Sequence, residues 1–118
     1  MSFKKEYDWE YRSNESKRVI RKYPDKVPII CEKFAYTKNL PNIDKKKYLV
    51  PRDMTAGQFI GVIRKRIKQL LPTDAIFLFV DNNKTIVSGS TIIGGIYDET
   101  KDDDGFLYLC YSKENAFG

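Results

Sequence analysis

The chain of 118 residues contains no histidine, two cysteines and a single tryptophan. Without histidine there is no imidazole to act as base for a Ser or Cys nucleophile, and no Cys/His zinc site can form. Metal-ligand spacing is absent as well, so no catalytic residue, metal or cofactor is assigned. Cys31 and Cys110 each sit inside an apolar, strand-like run, where a reduced, buried thiol is the expected state. No apolar run approaches the roughly 18 residues that span a bilayer, and Met1–Glu10 is too charged for a signal peptide. A cytoplasmic chain is expected, with any membrane contact supplied by covalent lipid or a surface helix.

What is present suits one compact domain: 42% hydrophobic and 14% aromatic residues, enough for a core. The net charge of +5 is unevenly spread. Residues 1–68 hold 18 Lys/Arg against 8 Asp/Glu, and residues 69–118 hold 3 against 8. A basic first part and an acidic last part favour anionic partners near the basic face.

No internal repeat or low-complexity segment interrupts the chain. The pattern predicts a short helix over 3–8 and a second over Glu10–Lys22, ended by Tyr23-Pro24-Asp25. So few apolar residues mark that second helix as an appendage lying on a domain. Val27–Phe34 reads as a strand, with Pro28 near its start. A polar loop containing Asn39 and Pro41 leads to a second strand, Lys47–Val50, which forms a hairpin with the first. Thr55-Ala56-Gly57-Gln58 matches a capping box, opening a helix to about Leu70 with Phe59, Val62, Ile63, Ile67 and Leu70 at helical spacing. Ile76–Val80 reads as a strand and Asp81-Asn82-Asn83 as a turn. Ser90 would cap a short helix over Thr91–Tyr97, an acidic loop follows over Asp98–Gly105, and Phe106–Tyr111 is the last strand.

The segment Lys47-Tyr48-Leu49-Val50-Pro51 is the most informative. Alternation sends Tyr48 and Val50 to one side and Lys47 and Leu49 to the other. Lysines 45–47 lead in and a proline closes it, the means by which edge strands avoid random pairing. Apolar residues on both faces of an edge suit it to accept an extended peptide as an added strand. An ordinary solvated edge remains the alternative. Arg64-Lys65-Arg66 reads as the solvated face of a helix. No aromatic stacking pattern accompanies it, so no nucleic-acid partner is expected. At the end of the chain, Gly118 offers a carboxylate with no Cβ beside it, suited to threading narrow active sites.

Several blocks in order resemble the autophagy ubiquitin-like modifiers, the family of the GABA-receptor-associated protein and the microtubule-associated light-chain proteins. They are Tyr23-Pro24-Asp25-Lys26-Val27-Pro28, Glu32-Lys33, Asp44-Lys45-Lys46-Lys47-Tyr48-Leu49-Val50-Pro51, Gly57-Gln58-Phe59, Ile63-Arg64-Lys65-Arg66, Phe106-Leu107-Tyr108 and Phe117-Gly118. The resemblance implies an α+β fold: a ubiquitin-like β-grasp core over 27–112, a helical extension with two additional N-terminal helices over 1–26, and a flexible conjugation tail over 113–118. It implies a modifier, not an enzyme. Activating and conjugating enzymes of the autophagy lipidation pathway would join Gly118 to phosphatidylethanolamine, and a delipidating cysteine protease would remove it. The implied location is cytoplasmic, and the autophagosome membrane once lipidated.

Cargo receptors and adaptors would dock through acidic aromatic-x-x-aliphatic motifs. The resemblance assigns the first pocket to Glu15, Val19, Pro28, Ile30, Lys47, Leu49 and Phe106. It assigns the second to Tyr48, Val50, Pro51, Met54, Phe59, Val62 and Ile63, with Lys45 and Arg66 as basic contacts to the motif; plain core packing is the alternative for parts of Val62 and Ile63. The chain departs from the family pattern in Val19, which stands for a larger aliphatic, in a longer stretch over 81–97, and in ending at Gly118 where many members carry further residues. Two competing readings stay open: a non-conjugated scaffold binding tubulin through the basic N-terminal helices, and a nucleic-acid-binding domain using the basic half.

Overall fold

A computed structural model describes residues 2–35, 40, 43–82 and 84–113. Two short polar caps start the chain. Ser2 accepts from the Lys5 amide to open α1 (Phe3–Glu6), and Asp8 accepts from the Tyr11 amide at 2.8 Å to open α2 (Trp9–Lys22). There follow β1 (Lys26–Lys33), β2 (Lys47–Pro51), α3 (Ala56–Arg64), β3 (Phe77–Val80), α4 (Ile93–Thr100) and β4 (Leu107–Ser112). The strands form one mixed sheet in the order β2-β1-β4-β3, with β1 and β4 parallel and the outer pairs antiparallel.

The two central strands are covered on both faces, so β4 is buried throughout and β1 nearly so. Val27, Ile29 and Cys31 of β1 and Leu107, Leu109 and Tyr111 of β4 join Phe59 and Ile63 of α3 in the main core. On the opposite face, Ile30, Phe106 and Tyr108 pack with Phe3 of α1. Beside β3 on that face lie Phe34, Phe79 and Cys110. Both cysteines are free and buried. Burial pushes the Cys31 thiol well up and the Cys110 thiol to about 11, which keeps both protonated and inert.

α2 rests on the sheet through small residues. Ser13 and Ser16 are its buried positions, and Ile20 reaches the main core. The Ser16 hydroxyl bonds to the carbonyls of Ser13 and Asp104. This accounts for a helix so poor in apolar residues: hydrogen bonds and close approach hold it.

The helices differ from their expected bounds: α1 ends at Glu6, short of residue 8, α2 starts one residue early at Trp9, and α3 and α4 differ more. α3 keeps its capping box, with the Thr55 hydroxyl and the Gln58 side chain each accepting the other residue's amide, but it stops at Arg64 and not near Leu70. Tighter bonds follow, from the Arg66 amide to Ile63 and the Ile67 amide to Arg64, and Gln69 adopts φ +63°. Arg64 holds the new path by donating to the carbonyls of Leu71, Pro72 and Asp74. Ile67 stays buried through this tightened turn, so its spacing mimics a continuing helix. α4 starts at Ile93, later than expected, and Ser90 is not its cap. Its first amides are met from outside, Ile93 by the Met54 carbonyl and Gly94 by that of Arg52, both at 2.9 Å. Gly94 permits this approach, since a Cβ there would lie 2.8 Å from the Arg52 carbonyl oxygen. The helix then runs on to Thr100, through what reads in sequence as the start of a loop.

Among the described residues no helix is long and apolar enough to cross a membrane. The loop residues Asn39 and Pro41, the turn residue Asn83, and Phe117-Gly118 lie outside the described residues.

Candidate docking edge at β2

The sheet has two outer strands, and they end differently. Beyond β3, residues 85–87 add a rung: the Val80 amide donates to Thr85, the Val87 amide to Leu78, each at 2.8 Å, and Phe79 bridges Ile86. Beyond β2 no strand lies among the described residues. Among the described residues β2 is therefore the open border of the sheet.

Its register explains the two sets of side chains. Pro28 faces Leu49 and Ile30 faces Lys47, while Val27 faces Val50 and Ile29 faces Tyr48. Cross-strand partners share a face. Leu49 and Lys47 thus lie on the α2 side with buried Pro28, Ile30 and Phe106, and Tyr48 and Val50 lie on the α3 side with the main core.

On the α2 side, the Lys47 ammonium reaches the Glu15 carboxylate at 3.1 Å, and Arg18 reaches it at 2.7 Å. Val19 follows Glu15 by one helical turn and is half-buried. The hydrogen bond from Arg18, then that from Lys47, outweigh partial burial and hold Glu15 down from 4.5 to about 2. A carboxylate depressed in the fold stabilises it above the unfolded pKa and loses that contribution as pH falls through the folded one. The denaturant midpoint of the protein is accordingly expected to drop between about pH 4.5 and pH 2. Glu15→Gln should flatten that part of the curve; an identical acid limb in this variant would mean the pair is fully screened.

On the α3 side, Tyr48 stacks edge-on to Phe59 with centroids 5.4 Å apart, and Tyr48, Val50, Phe59 and Ile63 are all buried. Met54 and Val62 are half-buried against them, and Pro51 is exposed. The deeper residues form a floor and the latter three a rim. Lys45 lies over the Tyr48 ring at 5.2 Å, and Arg66 approaches Asp44 at 3.8 Å, so cations border this side too.

Two features have no counterpart in the sequence reading. The Tyr48 hydroxyl is buried without a hydrogen-bond partner among the described residues, and burial drives its pKa up. Behind the α2 side, the carboxylate of Asp104 accepts from Arg12 at 2.6 Å, from the Tyr108 hydroxyl at 2.5 Å and from the Phe106 amide at 2.9 Å. Asp104 was one acid among several in an acidic stretch, and nothing in the spacing singles it out.

The assembled features are those of a known family. A family model described as autophagy protein Atg8, ubiquitin-like, matches residues 11–118. The chain belongs to the Atg8 ubiquitin-like family. Autophagy-related protein 8 of Mycosarcoma maydis is 54% identical over 117 residues, covering 99% of this chain and 96% of that one. Autophagy-related protein 8c of Arabidopsis thaliana is 55% identical over 117 residues, covering 99% and 95%. The crystal structure of Trypanosoma brucei ATG8 superposes with a TM-score of 0.86 at 40% identity, covering 95% of this chain and 93% of that one. As an Atg8-family chain it is an autophagy ubiquitin-like modifier, and its fold is the ubiquitin-like α+β fold with helices preceding the sheet. The family is one of modifiers, not of enzymes.

Proposed function

We propose that this Atg8-family protein is attached through the carboxylate of Gly118 to phosphatidylethanolamine and captures partners at the open border of its sheet. The observation that carries the reading is the asymmetry of that sheet: among the described residues, 85–87 cover β3 and none cover β2. An extended peptide can add to β2 through backbone hydrogen bonds. Its aromatic side chain would enter the α2 side, among Glu15, Val19, Pro28, Ile30, Lys47, Leu49 and Phe106. An aliphatic three positions later would enter the α3 side, over Tyr48, Val50, Phe59 and Ile63 with Pro51, Met54 and Val62 at the rim. Lys45 and Arg66 would meet acidic residues of the same motif. Partners of this kind are cargo receptors and adaptors, and the activating, conjugating and deconjugating enzymes of the lipidation pathway act on the tail.

The division into a helical extension over 1–26, a core over 27–112 and a tail over 113–118 serves this arrangement. One part frames the α2 side, one holds the docking strand, and one reaches an active site. Lipid on the tail would carry the protein from cytoplasm to autophagosome membrane. Intact mass measured on protein recovered from cell membranes is expected to exceed that of the free chain by one phosphatidylethanolamine less one water. A variant lacking Gly118 should show no such species and still bind an acidic aromatic-x-x-aliphatic peptide. An unmodified mass in the membrane fraction would remove the conjugation claim.

A further inference from the structure

Where the chain leaves the sheet, it meets a loop that is already fastened in place. The terminal pair of the β3–β4 ladder is Phe77 with Ser112, and Ser112 is buried. Lys113 comes next, and its ammonium reaches the Asp74 carboxylate at 3.3 Å. Asp74 is a firm anchor. Its carboxylate accepts the Leu71 amide at 2.9 Å, its own amide donates to the Leu71 carbonyl at 3.0 Å, and its carbonyl accepts from Arg64 of α3 at 2.6 Å. The Asp74 side chain is 13% exposed, against 40% for Lys113. The hydrogen bond from Leu71, joined by the one from Lys113, outweighs partial burial and lowers the Asp74 pKa. The turn over 71–74 is thus closed and tied to α3 by bonds that do not involve Lys113. What the ion pair adds falls on the exit of the chain.

We propose that Asp74 and Lys113 are positioning residues: they fix the base of the tail, and with it the side from which Gly118 is offered to the enzymes that act on it. The inference rests on the reading that Gly118 is conjugated. β4 lies beside β3 and two strands from β2, and Asp74 belongs to the loop that leads into β3. The pair therefore starts the tail at the border opposite the docking edge. From Lys113 to Gly118 is a step of five residues (118 − 113), a reach of at most about 18 Å. So short a tail depends on where it begins. Holding its first residue removes backbone freedom that an enzyme would otherwise restrain on insertion. The gain is bounded by the strength of the pair, which for a partly exposed ion pair corresponds to at most about fivefold in an equilibrium constant.

Conjugation is followed with the full chain, the activating and conjugating enzymes, ATP and vesicles containing phosphatidylethanolamine. Lys113→Gln is expected to raise the apparent KM for the chain by up to about fivefold and to leave kcat unchanged, since the pair acts before the chemistry. Lys113→Arg keeps the cation and should stay near the parent. Asp74→Asn keeps an acceptor for the Leu71 amide and should give the same rise as Lys113→Gln, and the two together no more than either alone. NMR titration of the Asp74 carboxyl reads the pair without enzymes: its pKa should move up toward the ordinary range in Lys113→Gln. Binding of the acidic aromatic-x-x-aliphatic peptide, expected unchanged throughout, reports an intact fold and docking edge. An unchanged KM in Lys113→Gln, a loss confined to kcat, or an unmoved Asp74 titration would each overturn the proposal. So would a loss in Lys113→Gln that Asp74→Asn does not reproduce, because Lys113 would then touch the enzyme directly. These outcomes leave conjugation standing, whereas a parent chain that gives no conjugate overturns that reading and the proposal with it.

Discussion

Replacing Arg12 with methionine is expected to destabilise the fold by about 3–5 kcal/mol, because it leaves the Asp104 carboxylate buried without its cation. The side chain of Asp104 is wholly buried and that of Arg12 is 11% exposed. Burial opposes the Arg12 charge, yet hydrogen bonds to Tyr108 and Asp104 prevail and raise its pKa. The same carboxylate receives the Tyr108 hydroxyl and the Phe106 amide, and the backbone of Asp104 receives Ser16 from α2. One carboxylate therefore joins α2 to the start of β4. Methionine retains much of the arginine stem, so lost packing contributes little and the lost partner dominates.

Urea unfolding at neutral pH reads the effect directly. Adding Asp104→Asn to the same chain should recover a substantial part of the loss, since an amide costs less than a charge to bury; its oxygen can still accept from the Phe106 amide while its NH2 group donates to the Tyr108 hydroxyl oxygen. A change below about 1 kcal/mol in the single variant, the range of exposed ion pairs, would show that water reaches the pair. Phe106 adjoins this network and is fully buried on the α2 side, so the Arg12 variant is expected to weaken peptide binding at the proposed docking edge as well.

The parts of the fold that were legible in sequence are those with short-range causes. The Thr55–Gln58 capping box, the Pro24 stop, the alternation of β2 and the burial of both cysteines each depend on residues close in the chain or on hydropathy alone. The start of α4 was not legible, because carbonyls of Met54 and Arg52, far away in the chain, replace a side-chain cap. The end of α3 was hidden by Ile67, whose burial in a tighter turn reproduces helical spacing. At the docking edge, the split of β2 into two faces could be read from alternation, and the partners of each face could not. That Lys47 reaches Glu15, or that Tyr48 meets Phe59, follows from where α2 and α3 cross the sheet. The Arg12–Asp104 pair spans 92 residues and carries no local signature.

Tyr48→Ala with Leu49→Ala is expected to weaken an acidic aromatic-x-x-aliphatic peptide by on the order of 2–4 kcal/mol, since each face of β2 loses an apolar wall. The two positions are not equivalent. Leu49 is half-buried, and its truncation mainly removes surface that a ligand would cover. Tyr48 is 5% exposed and packs on Phe59, so alanine there also opens the core, at about 3–5 kcal/mol of fold stability. Calorimetry on the double variant is therefore paired with circular dichroism, and Leu49→Ala alone supplies the cleaner binding loss. Tyr48→Phe separates the remaining role. It keeps the ring against Phe59 and deletes a hydroxyl that is buried without a partner among the described residues, so the fold should gain about 1 kcal/mol. If that variant is more stable and binds the peptide as well as the parent, the ring is the wall and the hydroxyl is a cost. If it is more stable but binds the peptide less well, the hydroxyl finds a hydrogen-bond partner in the ligand. Unchanged affinity in the folded double variant would mean that peptides dock elsewhere.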